Sequence, residues 1–475
     1  ADLAFHYEKA DIDDKTIEYL TKAGAQAKKN YQNQQALDFY DRLLEKTADN
    51  LISIETLIEK SEVSTTMGKL NAGLEQISSA HILSGKIDDK VLMAKCLHQL
   101  GWIYFYQSEY KLAADCFNQQ LALFQELDHK EGLMQAWHDL GVLHGQKGKI
   151  DYAQTCFETE LELCEQYFAP NKKGPAIHGL AGVHFFKANY EISLDFLHEE
   201  LEICNQTHDK VTAAGALDNM GILYKQMGNY EKAISLFNES LTLLRSIGKL
   251  PGLAYAHANL AGIFKEIGDY STALSKYQVS LNLGEEIGDK FLKAVVESKM
   301  GDIHSILNEY RQAEECLLRA IEINENIGNE DGLCHNYYYL ADLRFRQNRL
   351  NEAAEFCRKS SEISVKGREA YVKFLNKVLA AKIDFFLGDV QASERLIEML
   401  EYSEDDDRTA ALHYELYQMG RLKNIGLDIE EHRQKSLSIY QELSKEVPLI
   451  EYKQKIEELL DGQLGGHDKK SNHLL

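Results

Sequence analysis

The sequence predicts an all-α protein, a solenoid of antiparallel helix pairs, and three observations carry that reading. A small residue recurs every 40 positions without an insertion, apolar residues inside each period fall at three- and four-residue spacing, and Gly or Asn recurs between the two halves of each period. The 475 residues include only 4 prolines, Pro170, Pro175, Pro251 and Pro448, so little in the chain breaks helices. A hydrophobic content of 44% with 27% charged residues marks a folded chain rather than a disordered one.

The period is set by Gly101, Gly141, Ala181, Gly221, Ala261, Gly301, Ala341 and Ala381, each preceded by Leu or Met except at Ala380. Nine residues on come Tyr110, Ile150, Tyr190, Tyr230, Tyr270, Tyr310, Leu350 and Val390, and three further Ala113, Ala153, Ser193, Ala233, Ala273, Ala313, Ala353 and Ser393. Leu217, Met220, Gly221 and Tyr224 share one helix face, and Ile234, Phe237, Leu241 and Leu244 share another. Small residues at the 221 and 233 positions let the two helices approach closely, where a bulky side chain would force the axes apart. Between the helices stand Gly148, Gly228, Gly268 and Gly388, with Asn308 and Asn348 in two further periods, the residue types that tolerate a left-handed helix end. Ser108 and Ala188 depart from this rule. A second breaker, Gly248, Gly288 or Gly328, closes several periods.

Charge and cysteine usage narrow the function. With 75 acidic and 52 basic residues the formal charge is −23, which disfavours binding to nucleic acid or to anionic membranes. No apolar run approaches the roughly 18–20 residues of a membrane span. No basic and apolar signal segment opens the chain, and residue 1 is Ala rather than Met, read as a chain processed or cut from something larger. The 8 cysteines show no metal-site spacing, and Cys116, Cys156 and Cys316 share one repeat position. They read as small buried residues, free and reduced, which fits a cytoplasmic protein.

The run from Met220 to Ala233, with Gly221, Tyr224, Gly228, Asn229 and Tyr230 between them, resembles the tetratricopeptide repeat (TPR) signature, with Met in place of Leu. The 40-residue variant is similar to repeats of kinesin light chains, the Pins/LGN scaffolds, bacterial peptide-sensing regulators and the C-terminal arrays of bacterial signal-transduction ATPases. The resemblance implies a right-handed superhelix whose first helices line a concave surface. The expected division is off-register helices over 1–49, a repeat array over 50–413 with one degenerate unit before eight regular ones, capping helices over 414–461 and a disordered tail over 462–475. The stretch Leu3 to Glu8, followed by Ile17 to Gly24, resembles the segment that joins an ATPase module to a repeat array, so the rest of a larger protein ahead of Ala1 is an expected partner. Tyr402 to Asp407 reads as a solvated acidic loop rather than a metal site.

No P-loop, HExxH or GxSxG motif is present, and neither catalysis nor a cofactor is expected. His98, His138 and His178 fall at one repeat position, followed by Asp218. Such a row does not make a zinc site, because neighbouring helix axes lie about 8–10 Å apart while zinc ligands converge to about 2 Å from the metal. Carried over from the family residue by residue, the concave surface takes His98, Trp102, Phe105, His138, His178, Phe185, Asp218, Asn219, Lys225, Asn259, Lys265, Asp302, Tyr338, Asp342, Arg346 and Lys382. Repeated Lys/Asn clamps for a C-terminal carboxylate are missing. Asn219 and Asn259 suit an extended backbone, and Lys225 with Lys265 forms a basic strip, so the expected ligand is a protein or peptide segment of acidic or phosphorylated character. The function expected is a bacterial signalling scaffold or sensor arm, with a receptor for a short peptide as the nearest alternative and an enzyme with an unrecognised site as the remote one.

Overall fold

The computed structural model describes residues 2–10, 12–30, 32–107, 109–167, 172–364, 370–389, 391–403, 405–423 and 426–461. Ser108, Pro170, Val390, Glu404 and the tail expected over 462–475 lie outside the described residues. The chain divides into two compact units, Ala1–Asn219 and Met220–Leu475. Among the described residues there are helices and no strand, and no helix is long and apolar enough to cross a membrane.

The first unit runs through α1 (Asp2–Lys9), α2 (Asp13–Lys29), α3 (Asn33–Lys46), α4 (Asn50–Thr66), α5 (Leu70–Lys86), α6 (Lys90–Tyr106), α7 (Tyr110–Glu126), α8 (Lys130–Gln146), α9 (Ile150–Gln166), α10 (Gly174–Phe186) and α11 (Tyr190–Thr207). Helix α12 (Lys210–Gln226) carries the division between the units. The second unit continues with α13 (Tyr230–Ile247), α14 (Leu250–Glu266), α15 (Tyr270–Ile287), α16 (Lys290–Ile306), α17 (Tyr310–Ile327), α18 (Glu330–Arg346), α19 (Leu350–Ser364), α20 (Ala370–Leu387) and α21 (Ala392–Glu401). It ends on α22 (Asp406–Leu422), α23 (Ile429–Glu446) and α24 (Ile450–Asp461).

The backbone turns over on a 20-residue beat. Positive φ occurs at Gly68, Asp88, Asp128, Gly148, Ala188, His208, Gly228, Gly248, Gly268, Gly288, Asn308, Gly328, Asn348 and Gly388, with Gly426 as the one value off the beat among the described residues. The breakers expected at alternate turns are therefore all left-handed. Ala188, which the residue type did not favour for such a turn, takes φ 57 all the same. Its side chain adds a local cost of about 1–2 kcal/mol that the packing on either side overrides.

That packing is one contact repeated. A Cβ built on Gly101 would sit 2.2 Å from the Phe117 ring, one on Gly141 2.6 Å from Phe157, one on Gly221 2.8 Å from Phe237 and one on Gly301 2.8 Å from Leu317. In each case the partner lies in the second helix of the same pair, at a constant offset along the chain from its glycine. Burial of each phenyl ring contributes about 1.5–3 kcal/mol, and at these Cβ distances it needs a facing position with no side chain. The degenerate pair α4–α5 keeps the approach close in another way: Ser61, at the Gly101 position, donates its hydroxyl to the Gly73 carbonyl at 2.8 Å. The N-terminal helices off the 40-residue beat follow the same rule. The Gly24 Cβ position lies 2.5 Å from the Tyr40 ring, at the same offset along the chain, so α2–α3 is a pair of the same kind in a shifted register.

The eight cysteines are free and buried. Burial pushes the thiols of Cys96 and Cys316 up to about 12 and those of Cys116, Cys156 and Cys357 to about 11, so these act as small core residues rather than nucleophiles.

Two Gly→Ala substitutions inside first helices should move stability in opposite directions. Gly101→Ala meets Phe117 and is expected to cost about 1–3 kcal/mol net. Gly182→Ala has no atom within 4 Å of its new methyl and is expected to gain about 0.5–1 kcal/mol from helix propensity alone. Denaturant midpoints of the two variants check the pair of signs.

Candidate functional site

The first helix of each pair buries its Gly or Ala face, and within each unit the residues beside that face stay mostly half-buried along a wall. In the first unit this wall is built around a buried acid. Asp139 on α8, fully buried, accepts from Trp102 Nε1 at 3.1 Å and from Gln135 Nε2 at 3.1 Å, while its other oxygen lies 2.6 Å from His98 Nδ1. Trp102 meets His98 edge-on at 6.4 Å and Phe105 at 5.2 Å between ring centres. The predicted His98, Trp102 and Phe105 thus converge, with Asp139 as their centre.

The other two histidines turn to their own second helices. His138 Nδ1 lies 3.1 Å from Glu160 on α9, and His178 Nδ1 3.2 Å from Glu200 on α11. Both carboxylates are almost wholly buried. At the position equivalent to Glu160 and Glu200 the His98 pair carries Gln120, and His98 reaches forward to Asp139 instead. Each histidine therefore answers one buried acid, and His178 also faces Asn219 Nδ2 at 3.4 Å. Burial opposes the imidazolium of His98, but the hydrogen bond and charge of Asp139 outweigh it and raise its pKa. For His178 the hydrogen bond to Glu200 is the larger effect and raises it too. Burial raises Glu160, with His138 opposing. Phe185 packs between Phe186 and Tyr190, at 5.7 and 6.0 Å, and Asp218 is half-buried on α12.

In the second unit the wall is a chain of cross-helix pairs. Lys225 on α12 binds Glu266 on α14 at 2.7 Å, Lys265 on α14 binds Asp302 on α16, and Lys382 on α20 binds Glu415 on α22 at 2.9 Å. Lys299 Nζ donates to Tyr339 Oη at 3.3 Å, linking α16 to α18. Within α18, Arg346 binds Asp342 at 2.6 Å, and Tyr338 stacks obliquely on Tyr339 at 5.7 Å. The Lys382 ammonium sits 5.4 Å over the Phe345 ring. Asn259 is half-buried on α14. The basic strip expected from Lys225 and Lys265 is corrected by this geometry: both lysines already hold a carboxylate of the next first helix, so the strip is charge-paired rather than basic. Sequence reasoning missed Asp139, Lys299 and Tyr339, although they occupy the same repeat position as Asn219 and Asn259. It also missed Glu266, Phe345 and Glu415.

A family model described as the MalT-like TPR region matches residues 206–446, just over half of the chain. The chain belongs to that family. No curated protein sequence matches this MalT-like TPR chain. Among solved structures, the apo form of the quorum sensor NprR from B. thuringiensis is similar at a TM-score of 0.53, with 16% identity over 75% of this chain and 99% of that one. NprR in complex with its cognate peptide NprX gives 0.49 with 17% identity, over 74% of this chain and 99% of that one. A Rap protein complexed with Competence and Sporulation Factor gives 0.47 with 13% identity, over 80% and 99%. The NprR likeness is one of helical-repeat fold.

The histidines set a pH dependence with a definite sign. His98 and His178 bind their protons more tightly in the folded chain, so their contribution is full below about pH 6.5 and is lost as pH rises through the raised folded values. His257 in the second unit behaves oppositely: burial, with Lys276 and Arg245 adding to it, lowers its pKa to about 4, so its contribution holds above about pH 6.5 and is lost as pH falls toward 4. Amide exchange corrected for intrinsic rates should show His98→Gln with His178→Gln opening α6–α11 more readily than wild type at pH 6, with a smaller difference at pH 8, since His144 and His184 in the same helices, lowered by burial, are common to both chains.

Proposed function

We propose that this chain is a non-catalytic interaction module that receives a peptide or protein segment along the first-helix wall of its repeats. The observation that carries the reading is the wall itself, where aromatic, amide and paired ionic groups recur at one repeat position after another and stay partly exposed. Such a surface suits a ligand contacted at intervals of one repeat, with Trp102 and Phe105 as anchors and Asn219 as a backbone partner in the first unit, and Asn259 in that role in the second. The reading as a peptide-sensing regulator of a bacterial cytoplasm is favoured by the likeness to NprR, whose complex with NprX is a peptide complex. An acidic ligand must compete with Glu266 and Asp302 for Lys225 and Lys265, so charge alone gives it a small advantage.

The test is affinity capture with wild type and with an Asn219→Ala, Asn259→Ala, Lys225→Ala, Lys265→Ala variant of unchanged helicity. The expected outcome is at least a tenfold loss of affinity for the captured segment. Unchanged affinity places the partner elsewhere.

A further inference from the structure

The second unit folds its own C-terminal segment onto two of its turns. Helix α23 stops at Glu446, and the chain passes through Val447, Pro448 and Leu449 before α24 begins. Val447 is extended, at φ −132 and ψ 106, and Pro448 forbids a continuous helix. This link lies against Gly228 and Gly268, the turns that end α12 and α14. A Cβ built on Gly228 would stand 2.7 Å from the Glu446 carbonyl oxygen, 3.1 Å from Val447 Cα and 3.3 Å from Pro448 Cδ. One built on Gly268 would stand 2.9 Å from Ile450 Cγ1. The contact is particular to these turns, since Gly148, Gly388 and the intervening Gly248 and Gly288 have no atom within 4 Å of the same point. Both glycines have positive φ, +74 and +85, so any other residue would be strained there as well as obstructive.

The far end of the strap is held separately. Tyr452 is buried against Tyr440, 5.4 Å between ring centres, and hydrogen-bonds Asp407 at the start of α22. Lys455 sits 4.0 Å over Tyr414. Val447 and Ile450 are only half-buried and Pro448 is exposed, whereas the half-buried Leu449 packs against the α22–α24 core. A firmly rooted α24 thus presents a loosely covered apolar segment to two glycine turns one repeat apart.

We infer that the Gly228–Gly268 lip is a docking seat for a short extended apolar segment, filled in cis by Val447–Ile450, and that a partner segment of the same chemistry displaces it. That chemistry is an apolar residue on each side of one proline, as Val447 and Ile450 stand about Pro448, flanked by acids as Glu446 and Glu451 flank the strap. The inference rests on the wall reading above for where a partner lies, and adds how it enters. A tethered strap acts at an effective concentration in the millimolar range, so a free segment of equal intrinsic affinity is held off until the strap lets go.

The probe is a labelled peptide of residues Ser444–Lys453, added to the full chain, to a Val447→Ser, Ile450→Ser variant, and to that variant carrying Gly268→Val. The released variant is expected to bind the peptide at least tenfold more tightly than wild type, and Gly268→Val to abolish the gain. Amide exchange over 226–232 and 266–272 should rise on release and fall again when peptide is added. Equal binding by wild type and the released variant, binding that survives Gly268→Val, or exchange that ignores both release and peptide overturns the seat. Because the probe is the chain's own segment, such a failure leaves the partner capture by the first-helix wall standing, and failure of that capture leaves the seat standing.

Discussion

The contact between a bare first-helix position and a large side chain on the paired second helix governs the rest of the molecule. Gly101 under Phe117, Gly141 under Phe157 and Gly221 under Phe237 fix how near two helices come and how they are rotated. Once the rotation is fixed, the side-chain face of every first helix is fixed with it. Glycine inside a helix costs about 0.5–1 kcal/mol in propensity, less than the burial of one phenyl ring contributes, so the exchange favours the pair. Ser61 and Gly24 reach the same closeness by a hydroxyl bond and by a shifted register, which shows that separation, not the identity of the residue, is what the fold requires.

A constant separation gives a constant reach. First helices of successive repeats stand about 8–10 Å apart, the span of one long side chain meeting another. Lys225 therefore finds Glu266, Lys265 finds Asp302, and Lys382 finds Glu415. The same geometry brings His98 to Asp139, whereas His138 and His178 satisfy buried glutamates within their own pairs. Buried acids such as Asp139, Glu160 and Glu200 would be costly without these partners, so the histidines serve the fold first and are offered to a ligand second.

The repeat was legible because its signals are local: a Gly at one spacing, an aromatic at another, a left-handed residue between. The 20-residue beat was only half visible, since Ala188 takes positive φ against its type, and Asp88, Asp128 and His208, types that tolerate it, do not stand out as a glycine does. Which wall residues stand side by side could be read from register, yet the pairing of Lys225 and Lys265 could not, because Glu266 looks like an ordinary surface acid and Asp302, though placed on the wall, meets Lys265 only once the next helix is positioned. The strap on Gly228 and Gly268 had no periodic signal, as Val447 and Ile450 lie far along the chain from both turns.

The central claim, that glycine and ring positions act as one unit, is tested most directly by a double-mutant cycle on Gly221→Ala and Phe237→Leu. The account predicts that Gly221→Ala destabilises the native background, costs less or even gains when position 237 carries leucine, and yields a coupling of about 1 kcal/mol or more between the two positions. Additive effects within about 0.3 kcal/mol would contradict it.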